Sequence, residues 1–170
     1  MKKERLQEKI GAALIRAAEN GHEILICNLL ALGASEEVIS QAFFEACKRN
    51  EGEVVKLLLS CTNQDAREAA FTWAARCGYV ETFSFFNFNN NNSLSEELLS
   101  IAARNGHISI VRLFLAEGVS VNPDCLRLAV FYNQPEVVGL LVAIGGANEF
   151  TALEWAEKYG RLEIMRILSN

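Results

Sequence analysis

The sequence predicts an all-α fold, a solenoid of about six helix-turn-helix repeats in a single domain, residues 1–170. The first observation behind this is a recurring motif: two small residues, two variable positions, then glycine or asparagine. The second is its period. The first small residues of successive copies are 27 to 29 residues apart, at Ala17, Ala46, Ala74, Ala102, Ala129 and Ala156. A period this regular indicates a repeat array, in which stacked units share one core.

The first helix of each repeat is predicted from apolar residues at helical spacing. A large apolar residue stands three positions before each of these alanines, and a small or apolar residue follows it, except at Glu157. Residues spaced in this way share one side of a helix. The large residues are Leu14, Phe43, Phe71, Leu99, Leu126 and Leu153.

A turn and a second helix follow at once. Four residues after each alanine only glycine or asparagine occurs, and these residues adopt a left-handed backbone at low cost and end helices. They are Gly21, Asn50, Gly78, Gly106, Asn133 and Gly160. The second helices carry apolar pairs that we expect in the core, namely Leu25/Ile26, Val54/Val55, Ile110/Val111, Val137/Val138 and Ile164/Met165.

Capping residues mark where several repeats begin. Ser35, Ser95 and Asn122 each precede an acidic residue or proline, a pattern typical of helix starts. The repeats are thus predicted at roughly 5–34, 35–63, 64–92, 93–121, 122–147 and 148–170.

Composition excludes several classes of protein. A hydrophobic fraction of 51% excludes disorder, and no apolar run reaches the ~18 residues of a membrane span. The formal net charge of −5 does not attract nucleic acid or anionic lipid. The cysteine count is odd at five and no Cys-x-x-Cys pair occurs, so we expect reduced thiols and a cytoplasmic protein, or one in the host cytosol if it is a secreted effector. We expect no metal and no cofactor.

The segment from Leu99 to Asn122 resembles an ankyrin repeat, and the resemblance extends over about residues 12–170. Ankyrin repeats run about 33 residues and carry a Thr-Pro-Leu-His segment, which is absent here. The resemblance therefore implies helix pairs whose β-hairpin fingers are shortened or absent and whose first helix is lengthened at its start. Leucine-rich and tetratricopeptide repeats fit the pattern less well.

Few residues suggest chemistry. His22 and His107 occupy the same repeat position, and the resemblance implies that they bond the backbone of the turn. Cys77 directly follows the basic Arg76, a neighbour of the kind found beside reactive thiols, so a cysteine-dependent enzyme is an alternative. We expect no catalytic residue, because the chain has no phosphate loop and no ligand-spaced cluster.

The segment from Phe83 to Asn92 departs from the other repeats. Four phenylalanines fall within six residues and a run of asparagines follows. Two interpretations remain open: an overfilled core with a slack polar loop, or an aromatic patch that a partner covers.

The resemblance implies that the two residues after each small pair contact partners on a concave helix face. Their chemistry varies between repeats, unlike that of the core positions, and tryptophans stand nearby. The predicted partner-binding residues are Lys48, Arg49, Arg76, Arg104, Phe131, Tyr132, Lys158, Tyr159, Trp73 and Trp155.

Three hypotheses for the function follow from this surface. The first is a protein-interaction scaffold or adaptor that is monomeric on its own and binds another protein or an acidic peptide. The second is single-stranded nucleic-acid binding through the same basic and aromatic residues, which the net charge disfavours. The third is the cysteine-dependent enzyme. A solvated helix face with no partner is the alternative to all of them.

Overall fold

A computed structural model describes residues 2–86, 92–144 and 146–169. Within these ranges every regular element is a helix, which confirms the predicted all-α class. The described connections between repeats contain no strand, so the β-hairpin fingers are absent from them, as predicted. No helix of this part of the chain is long and apolar enough to cross a membrane.

The helices follow one another in pairs. They are α1 (Lys2–Glu19), α2 (Glu23–Ala31), α3 (Glu36–Arg49), α4 (Gly52–Leu59), α5 (Gln64–Cys77), a 3₁₀ helix (Val80–Phe85), α6 (Asn92–Arg104), α7 (Ile108–Ala116), α8 (Pro123–Phe131), α9 (Pro135–Ala143), α10 (Glu149–Lys158) and α11 (Leu162–Leu168).

The turns inside the pairs have the predicted backbone. Asn50 and Asn133 have φ of 59° and 57°, and the glycines at the same position of the other repeats also have positive φ. A side chain with a Cβ atom is strained in this left-handed region, and asparagine tolerates it better than most residues. The left-handed turn predicted at the glycines is therefore also confirmed, at Gly21, Gly78, Gly106 and Gly160.

The predicted helix starts are partly right. The Ser35 hydroxyl accepts from the Val38 amide at 3.5 Å, and the Asn122 side chain accepts from the Cys125 amide at 2.7 Å. Ser95 is no cap, because α6 begins three residues earlier and the serine lies buried within the helix. The predicted lengthening of first helices fits α1, α3, α5 and α6, which have 13 to 18 residues, but is wrong for α8 and α10, which have 9 and 10.

The third repeat lacks an α-helix at its second position. The 3₁₀ helix holds Phe83 in the core, where its ring lies 5.6 Å from that of Phe71, and the Phe86 ring lies 4.8 Å from Phe71. These rings fill the interior, in line with the overfilled core. The remainder of the predicted patch, residues 87–91, lies outside the described residues.

The chain forms two compact bodies. The N-terminal body comprises Met1–Ala74 and Glu81–Phe86, and in it α1 packs on α2 and α3, and α4 packs on α3. Its core includes Leu14, Ile26, Phe43 and Leu58, which are fully buried. Leu25 was expected in this core but is 44% exposed, because no repeat of this body lies on the outer side of α1 and α2.

The C-terminal body comprises Ala75–Val80 and Asn87–Asn170. Its first helices form one layer, in which α8 packs between α6 and α10. Its second helices form another, in which α9 contacts α7 and α11. The core between the layers includes the fully buried Leu99, Ile110, Phe114, Leu141 and Ile164.

Candidate partner-binding surface

The variable residue pairs lie at the carboxyl ends of the first helices. Arg104 is the last residue of α6, Phe131 is the last residue of α8, and Tyr132 is its C-cap. Lys158 and Tyr159 occupy the same positions on α10. The local reason is the left-handed residue that follows, since it ends each helix at the same point of the motif.

Three rings of the C-terminal body meet there. The centroid of Phe131 lies 5.2 Å from those of Tyr132 and Tyr159, with interplanar angles of 73° and 87°. Such edge-to-face contacts are favourable for aromatic pairs. The surface is nonetheless open, because Phe131 is 43% and Tyr132 42% exposed.

A cation stands at each end of the three rings. The guanidinium carbon of Arg104 lies 4.4 Å from the centroid of Tyr132, and the Lys158 amine lies 5.8 Å from that of Tyr159. Both distances fall within the range of cation–π attraction. We call these five residues the aromatic surface: Arg104, Phe131, Tyr132, Lys158 and Tyr159.

The backbone beneath the aromatic surface is held by the next repeat along the chain. The side-chain amide of Gln134 donates to the Arg104 carbonyl at 3.2 Å, and the Arg161 guanidinium donates to the Phe131 carbonyl. Sequence reasoning missed both donors, although they stand at the repeat position of His22 and His107. These bonds fix the helix ends that present the aromatic side chains.

A polar groove of about 410 Å³ adjoins Arg104 between α6 and α8. Its walls include Glu97, Ser100 and Arg127, and the Arg127 guanidinium pairs with the Asp124 carboxylate at 2.8 Å. The groove therefore offers acidic and basic groups side by side. No sequence motif marks this groove beyond the first-helix positions themselves.

The N-terminal body holds three of the predicted residues. Lys48 pairs with Glu45 at 2.8 Å, so its charge is largely balanced. Its amine also lies 5.8 Å from the centroid of Phe44, whose ring contacts that of Trp73 at 6.0 Å. Arg49 is exposed at the end of α3.

The two remaining residues of the C-terminal body stand apart from the three rings. Arg76 is exposed, and its carbonyl accepts from His107 Nε2 at 2.8 Å. Since a carbonyl only accepts, Nε2 carries the proton, and His107 has the turn role that the resemblance implied. Trp155 is half-buried and lines a different pocket of about 210 Å³ with Leu126 and Val121.

The cysteines show no arrangement for catalysis. Burial raises the pKa of the Cys47 and Cys125 thiols to about 12, so both stay protonated at neutral pH. Cys77 is half-buried, and the ring nitrogen of His107 in the neighbouring turn is committed to the Arg76 carbonyl. Among the described residues, no group of three His, Cys, Asp or Glu side chains could hold a metal ion.

Comparisons with known proteins agree with this architecture. Residues 99–170 match the family model of ankyrin repeats, in three copies. The chain is also 28% identical over 179 residues to the ankyrin repeat and KH domain-containing protein mask-1 of Caenorhabditis elegans. That match covers 91% of this chain, and the chain spans 7% of the length of that protein.

Proposed function

We propose that this chain, whose residues 99–170 match the ankyrin repeat family model, binds a segment of a partner protein through the aromatic surface of its C-terminal body. Ankyrin repeats are generally protein–protein interaction modules and non-enzymatic scaffolds. The proposal goes further in assigning the contact to particular residues, and in taking the chain to act without catalysis. Its free cysteines also fit a reducing compartment such as the cytoplasm.

The observation behind the proposal is the exposed ring cluster with a cation at each end. Tyrosine and arginine are enriched among residues that dominate binding energies, and large rings lose few rotamers on binding. The backbone bonds of Gln134 and Arg161 keep the helix ends in place before any partner arrives. A surface that is already ordered loses little conformational entropy when it binds.

The charges favour an acidic segment in the partner. Arg104 and Lys158 flank the rings, and Arg104 also borders the polar groove. A carboxylate can pair with either cation while an apolar side chain packs on Phe131. Because these cations are exposed, added salt should weaken binding without abolishing it.

Single-stranded nucleic acid is the less supported ligand. The Arg104 guanidinium already covers one face of the Tyr132 ring, and Phe131 makes edge-to-face contacts with both tyrosine rings. Stacking of a nucleic-acid base needs a ring face that is free of such contacts. Titration with single-stranded RNA at low salt tests this alternative, and binding that Phe131→Ala abolishes would replace the protein partner with RNA.

The test of the proposed function is affinity capture with matched variants. Wild type, Phe131→Ala and Arg104→Glu are immobilised beside the control Arg112→Glu. This control makes the same charge change as Arg104→Glu, at an exposed residue of α7. We expect at least one protein that wild type and the control retain and that both surface variants lose. Equal recovery by all four proteins would refute the assignment, provided that their melting temperatures agree.

A further inference from the structure

Neighbouring repeats of the C-terminal body are joined by a recurring hydrogen bond. The residue after the left-handed turn position donates its side chain to a carbonyl of the preceding repeat. His107 donates to Arg76, Gln134 to Arg104 and Arg161 to Phe131. Each acceptor lies two residues before its own left-handed residue. The fourth, fifth and sixth repeats therefore each donate to a carbonyl of the repeat before them.

The first repeat has the donor but no acceptor. His22 occupies the same position as His107, its ring is exposed, and no described residue of the chain accepts from it. An opening of about 650 Å³ lies beside it, lined by Gly21, His22 and Leu25 among others.

The apolar side chains next to His22 are also uncovered. Ile24 is 82% exposed, and Leu25 is exposed at a position that is buried in the other α-helical repeats. Those buried counterparts are Val54, Ile110, Val137 and Ile164. In the array this position faces the preceding repeat, so the outer side of α1 and α2 has the form of an unfilled stacking surface.

The outer side of α1 adds charge to this surface. Leu6, Lys9, Ala13 and Arg16 follow one another at intervals of three or four, which places them on one side of the helix. Ala13 corresponds to the fully buried Ala42, Ala70 and Ala152 of later repeats. Leu6, Lys9 and Arg16 are exposed beside it.

The last repeat has the complementary features. The Lys158 carbonyl lies two residues before Gly160, as the acceptors do elsewhere, and no described residue donates to it. Phe150, Glu154 and Glu157 follow at intervals of four and three on one side of α10, and all three are exposed. Glu157 takes the position that faces the next repeat, where other repeats carry a buried residue.

We propose that the chain associates head to tail with a second copy, so that the outer side of α10 and α11 in one copy covers α1 and α2 of the next. His22 then donates to the Lys158 carbonyl, as His107 does to Arg76. The Phe44 ring contacts the Trp73 ring of the next repeat, so the same register brings Glu154 to the level of Arg16. Gly11 lies against Val38 of the next repeat, and this brings Phe150 to the level of Lys9. This interface joins different surfaces, so it can extend to rings or filaments.

The charges explain why a copy of this chain is the occupant. The outer side of α10 carries two carboxylates and a phenylalanine, and the outer side of α1 carries two cations and a leucine. Pairing opposite charges across an interface fixes register and rejects wrong partners. A monomer was expected from the sequence. With the proposed interface, the molecular mass in solution instead depends on concentration.

Sedimentation velocity over a wide concentration range tests the proposal. We expect the mass to rise above 18.8 kDa with concentration. Arg16→Glu and Glu154→Arg, each alone, place like charges across the interface and should weaken association about tenfold or more. Mixing the two variants brings opposite charges together at every junction, so association should return.

The controls separate this interface from other contacts. Leu25→Lys and His22→Ala should also weaken association, whereas Phe131→Ala and Arg112→Glu should leave it unchanged. A mass that stays at 18.8 kDa at all concentrations would overturn the proposal, and so would association that neither charge variant affects. Loss of association in Phe131→Ala would assign self-association to the aromatic surface instead.

Discussion

Replacing His107 by alanine should destabilise the protein, whereas the same change at His22 should not. Both histidines follow the glycine of the same turn motif, at Gly21 and Gly106. Only His107 has an acceptor, the Arg76 carbonyl at 2.8 Å. The pair therefore isolates one hydrogen bond while residue type and local backbone stay the same.

The magnitude follows from the bond and its surroundings. A net hydrogen bond contributes about 0.5–1.5 kcal/mol, and His107 is only half-buried, so we expect about 1 kcal/mol. The ring also packs over Gly78, where an added Cβ would lie 2.7 Å from Nδ1. For a chain of this size, ~1 kcal/mol lowers the melting temperature by ~2–4 °C.

The assay is urea unfolding followed by far-ultraviolet circular dichroism, at a concentration low enough for the chain to be monomeric. His107→Gln is the rescue variant, because Gln134 makes the same bond from the same position. We expect His107→Gln to unfold near the wild-type midpoint and His107→Ala clearly below it. Equal losses for His107→Ala and His22→Ala would refute the role assigned to this bond.

Three further predictions concern the core. Maleimide labelling of the native protein at pH 8 should modify the exposed Cys27 and Cys61 and spare Cys47 and Cys125, because a pKa of about 12 leaves on the order of a thousandth of the thiolate present at an ordinary pKa. Because the pKa of each buried thiol is raised from 9.0 to about 12, its contribution to the free energy of unfolding is full below pH 9.0 and falls as the pH rises toward 12. The fall is up to ~1.4 kcal/mol per pH unit for each thiol. Urea unfolding of a Cys47→Ala/Cys125→Ala variant should therefore show a smaller loss of stability at alkaline pH than wild type. Phe114→Ala should cost about 3–5 kcal/mol in the same assay, because its ring is fully buried between the two layers, and a loss below ~1 kcal/mol would contradict that placement.

The periodic features of the fold were predictable from the sequence. The left-handed turns could be assigned because each depends on a local motif that recurs, and the loss of β fingers followed from the short period. The start of α6 and the 3₁₀ helix were missed, since they fall where the third repeat departs from the motif. The exposure of Leu25 was missed for another reason: it depends on whether a neighbour covers the repeat, not on its own residues.

The candidate surface was only partly predictable. The motif placed Arg104, Phe131 and Tyr132 at helix ends, but not the stacking of Arg104 on Tyr132. That contact joins residues of adjacent repeats and depends on side-chain geometry. The pairing of Lys48 with Glu45 likewise reduces a charge that the residue pattern alone counts in full.

The affinity of the captured partner for Phe131→Ala tests the central claim most directly. Phe131 contacts both tyrosines, so its removal takes away the centre of the aromatic surface. Ile144→Ala is the control, an exposed apolar side chain just beyond α9. We predict that Phe131→Ala weakens binding by about tenfold or more while Ile144→Ala leaves it unchanged. Equal affinities for the two variants and wild type would show that the partner binds elsewhere.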